Sequence, residues 1–148
     1  MLVCLHAEIS CVEEFLSTLD REEQVMTNGF FADLPPITEQ KTRLLDRMAE
    51  LDQQRGATQV ALGFEPGRAG ADAAAAAGGA STRQAWANLL LLARNARTNN
   101  LRNGSMVYTH LDFTQRTLHV LQAGTQLFYG PDGARKTAAG AGTRLALG

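Results

Sequence analysis

The chain has 148 residues, a formal net charge of −1, 45% hydrophobic residues and only 6% aromatics. That length suits one domain with a real core, and abundant Leu and Ala with few β-branched residues favour helix over sheet. The near-zero charge gives no overall pull toward nucleic acid or an anionic membrane.

The charge is nonetheless uneven. Residues 1–33 carry seven acids against the single base Arg21, while residues 66–148 carry nine bases against Asp72, Asp112 and Asp132. An acidic first helix and a basic last helix are expected to attract each other when packed side by side. No aromatic platform accompanies the bases, so nucleic-acid binding is the lesser reading. Cys4 and Cys11, the only cysteines, would sit about 10 Å apart along a helix, too far for a mutual disulfide. "MLVCLHAEIS" lacks a basic leader and "WANLLLLA" is far short of a membrane span. The expectation is a cytoplasmic protein with reduced thiols and no membrane insertion.

The first predicted helix covers 2–27. Its apolar residues fall at 2, 5, 9, 12, 16, 19 and 26, with Glu23 in the missing step and Phe15 widening the seam; that alternation of three and four is a heptad pattern. Asn28-Gly29 is a stop, since both residues tolerate a left-handed backbone. Phe30, Phe31 and Leu34 form a short apolar hinge. Asp33 can then cap a second helix over 34–62, with Pro35 and Pro36 tolerated in its first turn. Leu34, Ile37, Leu44, Met48, Leu51 and Leu62 mark the seam of this helix, and Lys41 and Arg55 occupy two of its steps.

"GFEPGRAGADAAAAAGGAS" breaks the composition. Residues 63–80 read as a long mobile loop, with at most a transient turn in the alanines. Without a GxGxxG, a GKS/T or a preceding strand, it is not a phosphate loop. Ser81 or Thr82 caps a third helix over 82–128 whose apolar face includes Trp86, Leu89, Leu90, Ala93, Val107, Leu111, Leu118, Leu121 and Phe128. At about 45 residues and 65–70 Å it must lie along the other two helices or along a second copy. Asn95, Asn99, Asn100, Asn103 and Gly104 are poor helix-interior residues. They mark a break into two helices, a functional amide site, or a polar layer bonding across the bundle with close approach at Gly104. The last is preferred.

No constellation of residues carries chemistry. His110 and His119 are nine residues apart, so they do not share a metal at i, i+4 spacing. The pairs Glu13-Glu14 and Glu22-Glu23 diverge around a helix and read as solvated surface. "GPDGARK" lacks the acidic ladder of a calcium loop. No acid, base and oxyanion site assemble, so an enzyme is not expected, and neither is a cofactor or a metal. What remains is surface: the apolar residues Leu118, Leu121, Leu127, Phe128 and Tyr129, near the end of a helix that outruns its partners, have the character of a binding face. A coiled-coil scaffold that buries such a stripe within an oligomer is the competing reading.

The order of these features resembles a known family. An acidic first helix is followed by "LPPITEQKTRLLDRMAEL", by a third helix with "NLRNG", and by "LFYGPDG". "TEQKTRLL", "NLRNG" and "FYGPDG" carry the likeness most specifically, and together the pattern resembles the FlgN-type flagellar export chaperones across nearly the whole chain. The "GADAAAAAGGA" stretch departs from it and looks like an insertion.

The resemblance implies an all-α cytoplasmic chaperone of flagellar type III export, with no catalytic activity and no cofactor. Such a protein binds hook–filament junction proteins through their C-terminal helical segments, and it delivers them to the export apparatus. The expected architecture is a set of long antiparallel helices forming an extended coiled-coil-like bundle over 1–127. A flexible tail over 128–148 would bind the partner, and a homodimer is a further expectation. By resemblance the substrate is held at Leu118, Leu121, Leu127, Phe128 and Tyr129 and along the tail at Gly130, Asp132, Gly133, Leu145 and Leu147, the last two matched by position only. In this reading Phe128 and Tyr129 end the helix, Gly130 is its left-handed cap and Pro131 turns the chain away.

Overall fold

A computed structural model describes the backbone of residues 1–128 and the side chains of residues 1–122. Among the described residues there are four α-helices and no strand: α1 (Leu2–Thr27), α2 (Leu34–Ala61), α3 (Arg68–Ala77) and α4 (Gly79–Phe128), with a 3-10 turn at Phe31–Asp33. The chain divides by contact into Met1–Val107 and the residues from Tyr108 onward.

In the first unit, α1 and α2 pair antiparallel. Glu22 meets Lys41 at 2.8 Å and Glu8 meets Arg55 at 2.9 Å, so fourteen residues back along α1 match fourteen forward along α2. α4 runs alongside α1 in the same direction: Trp86 lies by Arg55, while Asn103 reaches the Leu19 carbonyl at 2.8 Å and Glu22 Oε2 at 3.0 Å. Leu5, Val12, Phe15 and Leu19 of α1 form the spine of the core. Against them pack Leu44 and Leu51 of α2 and Ala85, Trp86, Leu89 and Ala96 of α4.

The buried seam of α1 runs 5, 8, 12, 15, 19, 22, 26. It shares Leu5, Val12, Leu19 and Met26 with the expected seam but replaces Ile9, Leu16 and Glu23 with Glu8, Phe15 and Glu22. Two acids occupy core steps because Arg55 and Lys41, which do lie on the α2 seam as expected, supply the countercharges. Among the described residues, the predicted attraction between first and last helix reduces to one pair, Glu23 with Arg102; the buried acids are neutralised from α2 instead.

Both long-helix ends before α3 follow one pattern. Gly29 takes φ 76° and donates to the Met26 carbonyl at 3.2 Å, while Phe30 donates to Val25 at 2.9 Å. Gly63 takes φ 85° and donates to Val60, and Phe64 donates to Gln59. These are Schellman closures, in which the left-handed residue must lack a Cβ. Asn28 stays right-handed at φ −85°, so the stop belongs to Gly29 alone. Leu62 ends α2 as an exposed cap, and Gln59 takes the buried step in its place.

Three local expectations are corrected. Asp33 stands at the start of α2 but its side chain makes no capping hydrogen bond; the 3-10 turn leads in, with prolines in the first turn as expected. Residues 63–80 are not a mobile loop throughout, because Arg68–Ala77 is the helix α3. Ala71, Ala74 and Ala75 are buried, their small size letting the α3 backbone sit close to its neighbours. Gln59 holds the entry to α3 by donating to the carbonyls of Glu65 and Gly67. Finally, α4 begins at Gly79, so neither Ser81 nor Thr82 is its cap. The buried Thr82 hydroxyl instead donates back to the Gly78 carbonyl at 2.8 Å.

The asparagine segment resolves in favour of a polar layer, carried by one residue. α4 runs unbroken through Gly104. Asn103 is fully buried and bonds across to α1, whereas Asn95 is exposed and Asn99 and Asn100 are half-buried. No close approach occurs at Gly104, where an added Cβ would meet nothing within 4 Å. Both cysteines are free thiols, Cys11 buried with its Sγ 3.8 Å from the Leu44 carbonyl.

Candidate partner-binding surface

The candidate surface lies on the later turns of α4. Leu111, Leu118 and Leu121 recur at steps of seven and three, which places them on one face of a helix. Thr114 fills the intervening step. In the first unit the same helix buries such residues, and Leu89 is 5% exposed. Here Leu118 is 52% and Leu121 61% exposed, and Leu111 is likewise open to solvent. Tyr108, Phe113 and Val120, off that face, are more than two-thirds exposed.

The polar groups of this stretch bond locally. Arg116 pairs with Asp112 at 2.9 Å, one turn back. The hydroxyls of Thr114 and Thr117 donate to the carbonyls of His110 and Phe113, each at 2.9 Å. These bonds support the helix and leave the apolar side chains facing water. Burying one exposed Leu is worth about 1.5–3 kcal/mol, so a partner covering several of them has a sizeable driving force. Contiguous exposed apolar surface of this kind marks protein docking sites.

Of the expected binding residues, Leu118 and Leu121 are brought together on this face. Leu127 and Phe128 lie in the last turn of α4, beyond the side chains described. Tyr129, Gly130, Asp132, Gly133, Leu145 and Leu147 lie outside the described residues, as does the expected cap and turn at Gly130 and Pro131. Tyr108, Phe113 and Val120 were not legible as site residues, because heptad reasoning selects one seam and they fall off it. Their only signal was the density of apolar residues in a stretch with few charges.

Among the described residues, no group of three His, Cys, Asp or Glu side chains could hold a metal ion. No helix among them is long and apolar enough to cross a membrane.

Comparison with known proteins gives this helical architecture a family. The family model described as FlgN protein matches residues 1–137. A flagella synthesis protein FlgN of Yersinia enterocolitica serotype O:8 / biotype 1B (strain NCTC 13174 / 8081) is 28% identical over 146 residues, covering 97% of this chain and 94% of its own. A second Yersinia enterocolitica protein of the same name matches with the same identity and coverage. No solved structure matches. The family match takes in all four helices and the Leu118–Leu121 face and stops before Leu145 and Leu147. With an all-helical fold and a family match over most of its length, the chain belongs to the FlgN family.

Proposed function

We propose that this chain is a cytoplasmic export chaperone of flagellum assembly. It binds hook–filament junction proteins and delivers them to the type III export apparatus. The observation that carries the reading is the solvent-exposed apolar face of α4 at Leu111, Leu118 and Leu121, inside the span matched by the FlgN family. The relatives with which the chain aligns are named for flagella synthesis.

The face suits an amphipathic helix of the cargo laid along it, with leucines at three- and four-residue spacing as anchors. Binding continues in this proposal through Leu127, Phe128 and Tyr129 into residues 130–148. Ordering costs offset part of the contact energy, which keeps the complex reversible, as a delivery protein needs. The work is done by surface alone, without a catalytic group or a cofactor.

The test is calorimetric titration with the C-terminal segments of the hook–filament junction proteins, using the full chain and a chain ending at Gln126. Binding with a negative heat-capacity change is expected, and it should weaken in the shortened chain. Binding indifferent to the truncation would confine the site to the helices. Absence of binding in both forms, with tight self-association, would overturn the proposal in favour of a scaffold.

A further inference from the structure

A second surface lies in the first unit, away from the residues just discussed. α2 and α4 both pack on α1, and the groove between them is only partly filled. At one end α3 occupies it: Ala71, Ala74 and Ala75 are buried, and Asp72 accepts a hydrogen bond from the Trp86 indole at 2.6 Å while pairing with Arg68 at 3.0 Å. Beyond Trp86 the groove is open. Two adjoining hollows of about 230 and 220 Å³ follow one another along α4 from Trp86 to Asn100, and a third of about 450 Å³ opens beside them between α4 and Arg68 of α3. All three share Ala93; in the two smaller ones Val12 and Phe15 of α1 lie at the floor, and Leu45 and Met48 of α2 form the far wall.

The rim on the α4 side is cationic. Arg68, Arg94 and Arg97 line the largest hollow. Arg94 and Arg97 are exposed, and among the described residues neither pairs with a carboxylate, although most other arginines of the first unit do. Leu45 is 48% exposed and Met48 half-buried, so the apolar wall is also incompletely covered.

We propose that the open length of this groove is a second docking site, taking an acidic amphipathic helix of a protein partner. α3 provides the template within the same chain. It presents small apolar residues to the floor and the Asp72 carboxylate to the Trp86 indole of α4. A partner helix continuing along the groove would set small or medium apolar side chains against Met48 and Ala93 and carboxylates against Arg94 and Arg97. From Trp86 to Asn100 the groove spans about 20 Å, or roughly four helical turns. Electrostatic complementarity at such a rim governs specificity and association rate.

Trp86, the only tryptophan of the chain, stands at the mouth of the open groove and reports on it. The probes are two synthetic four-turn helical peptides with the same Ala/Leu face, one rimmed with Glu and the other with Lys, titrated against the full chain by Trp86 emission. The Glu peptide is expected to bind and shift the emission, with affinity falling as salt rises. Arg94→Glu/Arg97→Glu, at exposed positions, should weaken it at least tenfold and admit the Lys peptide. Ala93→Gln, which puts a longer neutral side chain into the groove, should also weaken the Glu peptide. Leu118→Asp/Leu121→Asp should leave binding unchanged, which separates this site from the proposed cargo face. Equal binding of the two peptides, or binding of neither, would overturn the proposal. So would a concentration-dependent emission shift without peptide that Arg94→Glu/Arg97→Glu abolishes, since a second copy would then be the occupant.

Discussion

Glu8 and Glu22 are buried acids on the α1 seam, and each has a cation of α2 at hydrogen-bonding distance. Glu22 also accepts from Asn103, which ties all three long helices together at one level. Such a layer specifies register more than it stabilises, since desolvation offsets much of the attraction. Breaking it from one side is costly. Lys41→Met should destabilise the protein by about 3–5 kcal/mol in urea unfolding. Adding Glu22→Gln should recover part of that loss, because the glutamine oxygen still accepts from Asn103; no recovery would contradict the layer. Burial pushes the Glu8 carboxyl above the ordinary 4.5, against the opposing pull of Arg55. The folded state therefore favours the protonated acid. Its contribution to stability is fully present below 4.5 and is lost as pH rises through the folded value. Glu8→Gln removes this loss, so the urea midpoint of the variant relative to the parent should rise from about pH 4 to about pH 7. A difference independent of pH would refute the assignment. Heptad counting missed these two acids because it followed Ile9, Leu16 and Glu23 at the steps that Glu8, Phe15 and Glu22 fill, yet Lys41 and Arg55 on the opposing seam were the visible sign that something anionic lay across from them.

At the level of elements, the three long helices were legible because each carries a recurrent three-four rhythm and two end in a glycine with a left-handed backbone. α3 was not, because a short alanine run between glycines carries no large apolar residue to mark a seam, and its stability comes from what it packs against. Its fit is tight. A methyl group on Gly70 would run into the Glu65 carbonyl oxygen and come within 2.6 Å of Gln59 Nε2. Gly70→Ala should therefore push α3 off α2 and lower stability by roughly 1–3 kcal/mol, as overpacking does, with a red shift of Trp86 emission as its contact with Asp72 loosens. Gly104→Ala meets open space in a helix interior and should raise stability by about 0.5–1 kcal/mol. If both changes proved neutral, α3 would be no more than the loose segment its composition suggests. The same pair tests whether α4 is one continuous helix, since a break at Gly104 would turn the gain into a loss.

At the scale of the whole chain, the resemblance to FlgN-type chaperones rested on "TEQKTRLL", "NLRNG" and "FYGPDG", and the family match over residues 1–137 agrees with it. "TEQKTRLL" holds Lys41 and Leu44 and "NLRNG" holds Asn103, residues that build the α1–α2–α4 interface. Those two motifs therefore record the fold, and the candidate binding surface lies elsewhere. It was legible in part: Leu118 and Leu121 follow the seam of α4 into a stretch where both are exposed, while Tyr108, Phe113 and Val120 obey no period that would single them out.

The central claim is that this apolar face of α4 is where cargo binds, and one titration tests it most directly. The Leu118→Asp/Leu121→Asp variant, checked for unchanged helicity by circular dichroism, is titrated calorimetrically with the C-terminal segments of the hook–filament junction proteins beside the unaltered chain. Substitution at two exposed helix positions should change stability little. The prediction is a loss of affinity of at least about tenfold, equivalent to about 1.4 kcal/mol, together with a smaller negative heat-capacity change. Affinity and heat capacity equal to those of the unaltered chain would contradict it.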